Sequence, residues 1–184
     1  MTELTVLALS GSLRGRSHNT ALLHAARKLN PGGLAIEIEQ DLALLPLYDQ
    51  DMDTESPPVA VTALRARIAA ADALLIATPE HNASVPAALK NAIDWASTAP
   101  CGLLRGKPVA IAGASPGPFG SVRAQLALRQ ILAAVGAEVV VKPEVTVFHC
   151  DTRLTDDGVL TDSHSAGLLR DLLTALARKA TVNC

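Results

Sequence analysis

The sequence predicts an α/β fold, an open five-stranded parallel sheet with helices on both faces. Three observations predict it. Short apolar runs alternate along the chain with stretches whose apolar residues recur at helical spacing. Most of the short runs are continuously apolar, as strands buried on both faces are. No composition break or internal repeat divides the 184 residues, so residues 1–184 are expected to form one domain.

The elements follow in order. "LTVLAL" (4–9) is apolar and partly β-branched, a first buried strand. Leu22, Ala26 and Leu29 then share one face of a helix over about 19–29. "LAIEIE" (34–39) alternates as a strand does. A loop rich in Pro and Asp (41–58) leads to a helix marked by Val61, Leu64, Ile68 and Ala71. "ALLIAT" (73–78) is the third strand, followed by a helical stripe of Val85, Ala88, Leu89, Ala92, Ile93 and Ala96. "KPVAIAGA" (107–114) is the fourth. Ala124, Leu128, Ile131, Leu132 and Val135 line the next helix. "EVVVK" (138–142) is the fifth strand, and Leu169, Leu172, Leu173 and Leu176 mark a last helix. Residues 143–163 carry no periodic signal.

Composition excludes several function classes. Aromatics make up 2% of the chain, too few for a base-stacking surface, and a net charge of -2 lacks the basic footprint of a nucleic-acid binder. No apolar run reaches the roughly 18 residues of a membrane span. The opening "MTELTVLALSGS" has an acid where a secretory signal needs basic residues. Cys101, Cys150 and Cys184 are odd in number and far apart, which suits reduced thiols in a cytoplasmic protein. The five His do not pair at i, i+4 spacing with one another or with Cys, so no metal site is expected.

Two doubly wound arrangements fit this alternation, the five-stranded flavodoxin-like order and half of a dinucleotide-binding fold. In both, ligands sit outside the carboxyl ends of the strands. Three loops fall there: 10–20, 79–84 and 115–120. The first, "SGSLRGRSHNT", carries hydroxyls at Ser10, Ser12, Ser17 and Thr20, an amide at Asn19 and guanidinium groups at Arg14 and Arg16. It ends at a helix N-terminus, where free N–H groups and the helix dipole favour an anion. Hydroxyl-rich chemistry suits a terminal phosphate monoester. A dinucleotide pyrophosphate needs the G-x-G-x-x-G pattern, which is missing. The plainer alternative is that Ser17 or Asn19 caps the helix and the arginines are solvated. "GLLRGKP" (102–108) falls one residue short of a Walker A loop and has Pro108 where a magnesium-binding hydroxyl belongs. A phosphatase nucleophile fails too, for no Cys stands in the first loop.

Taken together, "ALSGSLRGRSHNTALL" and "TPEHNASVPAALKNAIDW" resemble the NAD(P)H-dependent FMN reductase family, which includes chromate, quinone and azo-dye reductases. "LPLYDQDMD" (45–53) and "ASPGPFGSVRAQLALRQIL" (114–132) also look like family segments. The resemblance implies a flavodoxin-like fold and bound FMN. It implies that Ser10, Ser12, Arg14, Ser17, Asn19 and Thr20 surround the phosphate. Pro79, Glu80, His81 and Asn82 would run along the isoalloxazine ring, with Ser115 and Gly117 on its other edge. It further implies two-electron transfer from NADPH or NADH through FMN to quinones, azo compounds, chromate or similar small acceptors. The assembly implied is a homodimer or homotetramer with the flavin near a subunit interface and the 45–53 segment as a candidate wall. Neither nucleic acid nor a membrane enters this picture.

Three positions depart from the family pattern. His81 stands where Tyr is usual, Ala87 where Gly is usual, and "FGSVR" replaces a double glycine before Arg123. An imidazole can carry charge near neutral pH and buries less apolar area than a phenol, so His81 is a candidate for the acceptor-facing position. Its plainer reading is an exposed loop histidine without chemistry. Glu80 reads either as a solvent-facing acid or as a residue whose backbone meets the flavin. Lys90, Asn91 and Asp94 read as helix-surface or subunit contacts, Trp95 as core or interface, and Arg123, Arg129 and Glu144 as surface or intersubunit ion pairs. Two other functions share the fold: a flavodoxin-type electron carrier without nicotinamide turnover, and a free-flavin reductase feeding a monooxygenase.

Overall fold

The structure is a computed structural model that describes residues 3–39 and 42–182. Cys184 lies outside them. Among the described residues six strands form one parallel sheet: β1 (Leu4–Ser10), β2 (Leu34–Glu39), β3 (Ala73–Ala77), β4 (Pro108–Ser115), β5 (Glu138–Val139) and β6 (Val145–Phe148). The order is β2-β1-β3-β4-β5, with β6 also on β4. That is the flavodoxin-like order, and the dinucleotide-binding alternative is set aside. The described α-helices that accompany the sheet are α1 (His18–Leu29), α2 (Val59–Ala70), α3 (Ala87–Ser97), α4 (Val122–Ala134), α5 (Cys150–Arg153) and α6 (Ser163–Val182).

Strand alternation sorts the core into two layers. Val6 and Ala8 of β1 face a cluster with α1 and α6, while Leu7 and Leu9 face one with α2, α3 and α4. On the α1/α6 side the sheet offers small residues, Ala8, Ala77, Ala110, Ala112 and Ala114, against leucines of the helices. On the other side the sheet itself is bulky, with Leu7, Leu74, Ile76 and Ile111. Each fully buried leucine or isoleucine contributes about 1.5–3 kcal/mol by removal from water.

The fifth strand differs from expectation. "EVVVK" does not run as one strand. β5 pairs with Pro108 and Val109, and β6 pairs with 112–115 of the same β4. Between them the chain leaves the ladder, with Val141 70% exposed. The fifth position of the sheet is therefore filled by two short strands, and the unassigned 143–163 segment supplies the second strand and α5.

The 41–58 loop contains two 3-10 turns, Leu42–Leu44 and Gln50–Met52. It is stapled to α3 by Asn91, expected as a helix-surface or subunit contact, and by Trp95, expected in core or interface and found in the core. Asn91, buried, accepts from the Tyr48 N–H (2.7 Å) and donates to the Pro46 carbonyl (2.8 Å). Trp95, fully buried, donates from Nε1 to the same carbonyl at 2.9 Å and meets the Tyr48 ring edge-on. Lys90 and Asp94 form an i, i+4 pair on the helix surface. Glu144 pairs with its neighbour Lys142, and Arg129 donates to the Val140 carbonyl at 2.9 Å. No described helix is long and apolar enough to cross a membrane, and no described cluster of three metal-ligating side chains exists.

Candidate functional site

The strand order reverses between β1 and β3, and the loops after β1, β3 and β4 meet at that end of the sheet. The Gly11 N–H donates to the Ala77 carbonyl at 2.8 Å, and the Thr78 N–H to the Ala112 carbonyl at 3.0 Å. A side chain at Gly11 would put its Cβ 3.1 Å from Pro79 Cδ and 3.2 Å from Leu89 Cδ2. Glycine there lets the first loop lie directly against the third.

Ser17 caps α1. Its Oγ accepts from the N–H groups of Asn19 (3.2 Å) and Thr20 (3.3 Å). Asn19 is buried and doubly bound to Ala114, donating to its carbonyl and accepting from its N–H, both at 3.0 Å. These two side chains shape the loop and tie it to β4, the capping role that the sequence left open. Ser10, Ser12, Arg14 and Thr20 instead line one cleft of about 350 Å³, with Leu42, Ala43 and Glu39 on its far wall. Thr20 donates to Ser10 Oγ at 2.9 Å. Glu39 is buried and ion-paired with Arg67 at 2.5 Å.

The donor chemistry of this cleft fits a phosphate ester. Among the described residues no acceptor lies against the backbone N–H groups of Leu13, Gly15 or Arg16. With the Ser12 hydroxyl and the Arg14 guanidinium, of which Nη2 also donates to the Arg16 carbonyl at 3.2 Å, they make a set of donors at a helix N-terminus. Below the loop lies Cys150. Burial and Asp151 push its thiol up to about 11, although Arg14 pulls the other way. A protonated, fully buried thiol is no nucleophile.

After β3 the chain turns sharply. His81 and Ser84 exchange backbone hydrogen bonds, His81 N–H to Ser84 O at 3.0 Å and Ser84 N–H to His81 O at 2.9 Å. The two central residues are left-handed, Asn82 at φ 49° and Ala83 at φ 61°, as in a type I′ turn. The turn lifts an exposed His81 off the sheet end. The Glu80 side chain does not face solvent. Its carboxylate, 9% exposed, reaches the N-terminus of α4. There it accepts from the backbone N–H of Arg123 (3.0 Å) and Ala124 (3.4 Å) and from Arg123 Nε (2.6 Å). Desolvation works to raise its pKa, but the Arg123 and backbone donors together outweigh it and hold the carboxyl below its ordinary value.

The loop after β4 begins with Ser115, whose Oγ accepts from the Gly117 N–H at 3.2 Å. It closes with Gly120 at φ 53° and Ser121 at φ 72°. The double glycine of the family pattern thus falls on two left-handed residues, a conformation that costs a non-glycine residue about 1–2 kcal/mol. Ser121 is buried, and its Oγ accepts from Gln125 Nε2 at 3.3 Å. That hydroxyl sits where a Gly113 side chain would go, 1.9 Å from the position of its Cβ. Of the twelve residues expected at the site, the structure brings Ser10, Ser12, Arg14 and Thr20 to one cleft. Pro79 to Asn82 and Ser115 with Gly117 lie on the two neighbouring loops. Sequence reasoning missed the reach of Glu80 to α4, which spans 43 positions. It also missed Phe148, the last residue of β6, and His149 directly after it, which lie beside the 115–120 loop and belong to no recognised motif.

Comparison with known proteins agrees with this arrangement. Residues 4–151 match the NADPH-dependent FMN reductase family. The chain is 45% identical to an NAD(P)H-dependent FMN reductase of Pseudomonas aeruginosa, over 95% of this chain and 94% of the relative. It is 39% identical to a 2-hydroxy-1,4-benzoquinone reductase of a Burkholderia species, over 95% and 94% of the two chains. FerB, a flavoenzyme NAD(P)H:(acceptor) oxidoreductase of Paracoccus denitrificans, superposes with a TM-score of 0.86 at 36% identity over 98% of both chains. The protein belongs to the NADPH-dependent FMN reductase family.

Proposed function

We propose that the protein is an FMN-dependent NAD(P)H oxidoreductase that passes two electrons to quinones. The observation that carries this reading is the set of unspent donors in the first loop, standing beside the 79–84 turn at the strand-order reversal, in a chain of this family. The relatives named quinone reductase and benzoquinone reductase support quinones over azo compounds or chromate as the acceptor class.

In this reading Ser10, Ser12, Arg14 and Thr20 hold the phosphate together with the N–H groups of Leu13, Gly15 and Arg16. Ser17 and Asn19 keep the loop open to receive it. Pro79, Glu80, His81 and Asn82 border the ring with their backbone, and Ser115 and Gly117 border its opposite edge. When bound, FMN supplies the two-electron chemistry, taking hydride from NADH or NADPH and reducing the acceptor. The protein's share is positioning. Donors aimed at the ring edges favour its reduced, more negative form, and the loops hold both substrates in turn over one exposed face. His81, exposed on the turn, would be the side chain available to donate to an acceptor oxygen.

Residues 1–184 act as one FMN-binding domain of a cytoplasmic homo-oligomer, dimer or tetramer, with a second copy walling the flavin. Leu44 and Leu47, 66% and 80% exposed, lie where such a wall would be covered. Two measurements test the reading. Apoprotein should quench FMN fluorescence on binding and should bind riboflavin at least about a hundredfold more weakly, because several charge-assisted contacts to phosphate are lost. Initial rates with NAD(P)H and a benzoquinone should give parallel double-reciprocal lines. Equal affinity for riboflavin contradicts the phosphate loop. FMN binding without NAD(P)H oxidation assigns an electron carrier instead.

A further inference from the structure

The loop after β4 is gripped from two sides. On the side of α3, Glu80 caps the helix that the loop leads into. On the other side stands His149, directly after β6. Its backbone N–H points to the Gly117 carbonyl at 3.4 Å, and its ring Nδ1 lies 3.2 Å from the Pro116 carbonyl. A carbonyl can only accept, so Nδ1 carries the proton in this contact. Two consecutive carbonyls of the loop are thus bound by one residue.

The surroundings make this a built contact. His149 holds a left-handed backbone, φ 47°, uncommon for non-glycine residues although histidine is among those enriched there. Its neighbours hold it in place. Cys150, fully buried, anchors the start of α5 in the core. Phe148 lies under the Arg153 guanidinium at 4.0 Å and meets the His149 ring edge-on at 5.7 Å. The loop also closes tightly on the end of β6 at Gly120, where a Cβ would stand 3.1 Å from the Phe148 nitrogen. Apart from His149, the described hydrogen bonds of residues 115–117 beyond the β4 ladder stay inside the loop, Gly117 N–H to Ser115 Oγ.

We propose that His149 is a positioning residue for FMN, clamping Pro116 and Gly117 so that Ser115 and Gly117 keep the geometry that borders the flavin edge. This rests on the FMN site proposed above. It assigns a role to a residue outside both family motifs and outside the segments that resemble them. His149 does not touch the reacting atoms. It acts through the loop.

Three variants separate the parts of the claim. His149→Asn keeps a donor where Nδ1 stands and tolerates the left-handed backbone. His149→Gly tolerates that backbone fully but has no donor. His149→Gln carries its donor one bond further out. FMN affinity of each apoprotein is read by fluorescence quenching, the midpoint potential of bound FMN by dye equilibration, and order of the 115–120 loop by amide hydrogen exchange. The expected result is that Asn binds FMN within about twofold of wild type. Gln and Gly should bind about threefold to tenfold more weakly, the range for one lost hydrogen bond, with a shifted potential and faster loop exchange. FMN affinity and potential unchanged in the glycine variant overturn the proposal, even if the loop exchanges faster, since the contact is then structural only. A wild-type apoprotein that does not bind FMN at all overturns this proposal and the flavin site together, which distinguishes the two failures.

Discussion

The Glu80 carboxylate does the work of a helix cap from 43 positions away, and its removal has a defined signature. Glu80→Gln, whose amide oxygen can still accept, should lose about 1 kcal/mol of stability at neutral pH, the charge-assisted share of the bonds to the two backbone N–H groups of α4. Arg123 is 54% exposed, so the ion pair itself adds little. Because the folded pKa lies below the ordinary 4.5, the contribution is fully present above that value and is lost as pH falls through the lowered one. Urea midpoints of wild type and Glu80→Gln should therefore stand apart above the ordinary 4.5 and draw together as pH falls through the lowered value; a constant gap would contradict the role. Gly113 gives a second test. Gly113→Ala drives a methyl into the Ser121 hydroxyl and to 2.7 Å from the Thr78 carbonyl, and should cost about 2–3 kcal/mol by thermal unfolding. Adding Ser121→Gly should restore part of that loss and not all, since the Thr78 backbone stays in place. His81 is the residue by which acceptor choice is expected to differ within the family. His81→Tyr should change relative kcat/KM among quinones, whereas an unchanged acceptor preference would reduce His81 to a turn residue.

Helix α3 positions two things at once: its start follows the His81 turn, and its buried face holds the 45–53 segment. Asn91→Ala strands the half-buried Tyr48 N–H and removes one of the two donors to the Pro46 carbonyl, with an expected loss of about 1–2 kcal/mol. The same variant should free the 45–53 segment to proteolysis and, if that segment walls the flavin, raise the monomer fraction in light scattering. Arg65 secures the far end, binding Asp53 at 2.8 Å and the Trp95 carbonyl at 2.8 Å. Most of these elements were legible in the sequence for a physical reason. Strands buried on both faces must be apolar throughout, and helices packed on one face must repeat their leucines at helical spacing. The fifth strand was misread because valine favours extended backbone whether or not it is paired. "VVV" cannot reveal that Val141 turns 70% to solvent and that pairing resumes at Val145. The staple by Asn91 was equally hidden, since a polar residue on a helix declares its partner only when the facing loop is in place.

Across the molecule, the site arises from topology more than from any one motif. The order β2-β1-β3-β4-β5 brings three loops to one end of the sheet, and the sheet's small residues on the α1/α6 side let α1 approach until Asn19 bonds to Ala114. The hydroxyl-rich loop and the P-E-H-N turn were legible because their chemistry is local to each. The capping by Glu80, the left-handed pair at Gly120 and Ser121, and the clamp by His149 were not, because each depends on residues distant in sequence. The central claim is that this end of the sheet holds FMN and exchanges electrons with nicotinamide and a quinone in turn. The most direct test is an anaerobic titration of the FMN-loaded protein with NADPH and with NADH, followed by a benzoquinone. The account predicts that the flavin absorbance bleaches with one equivalent of nicotinamide and returns with one equivalent of quinone. A protein that takes up no FMN, or whose bound FMN is indifferent to both nicotinamides, would contradict it.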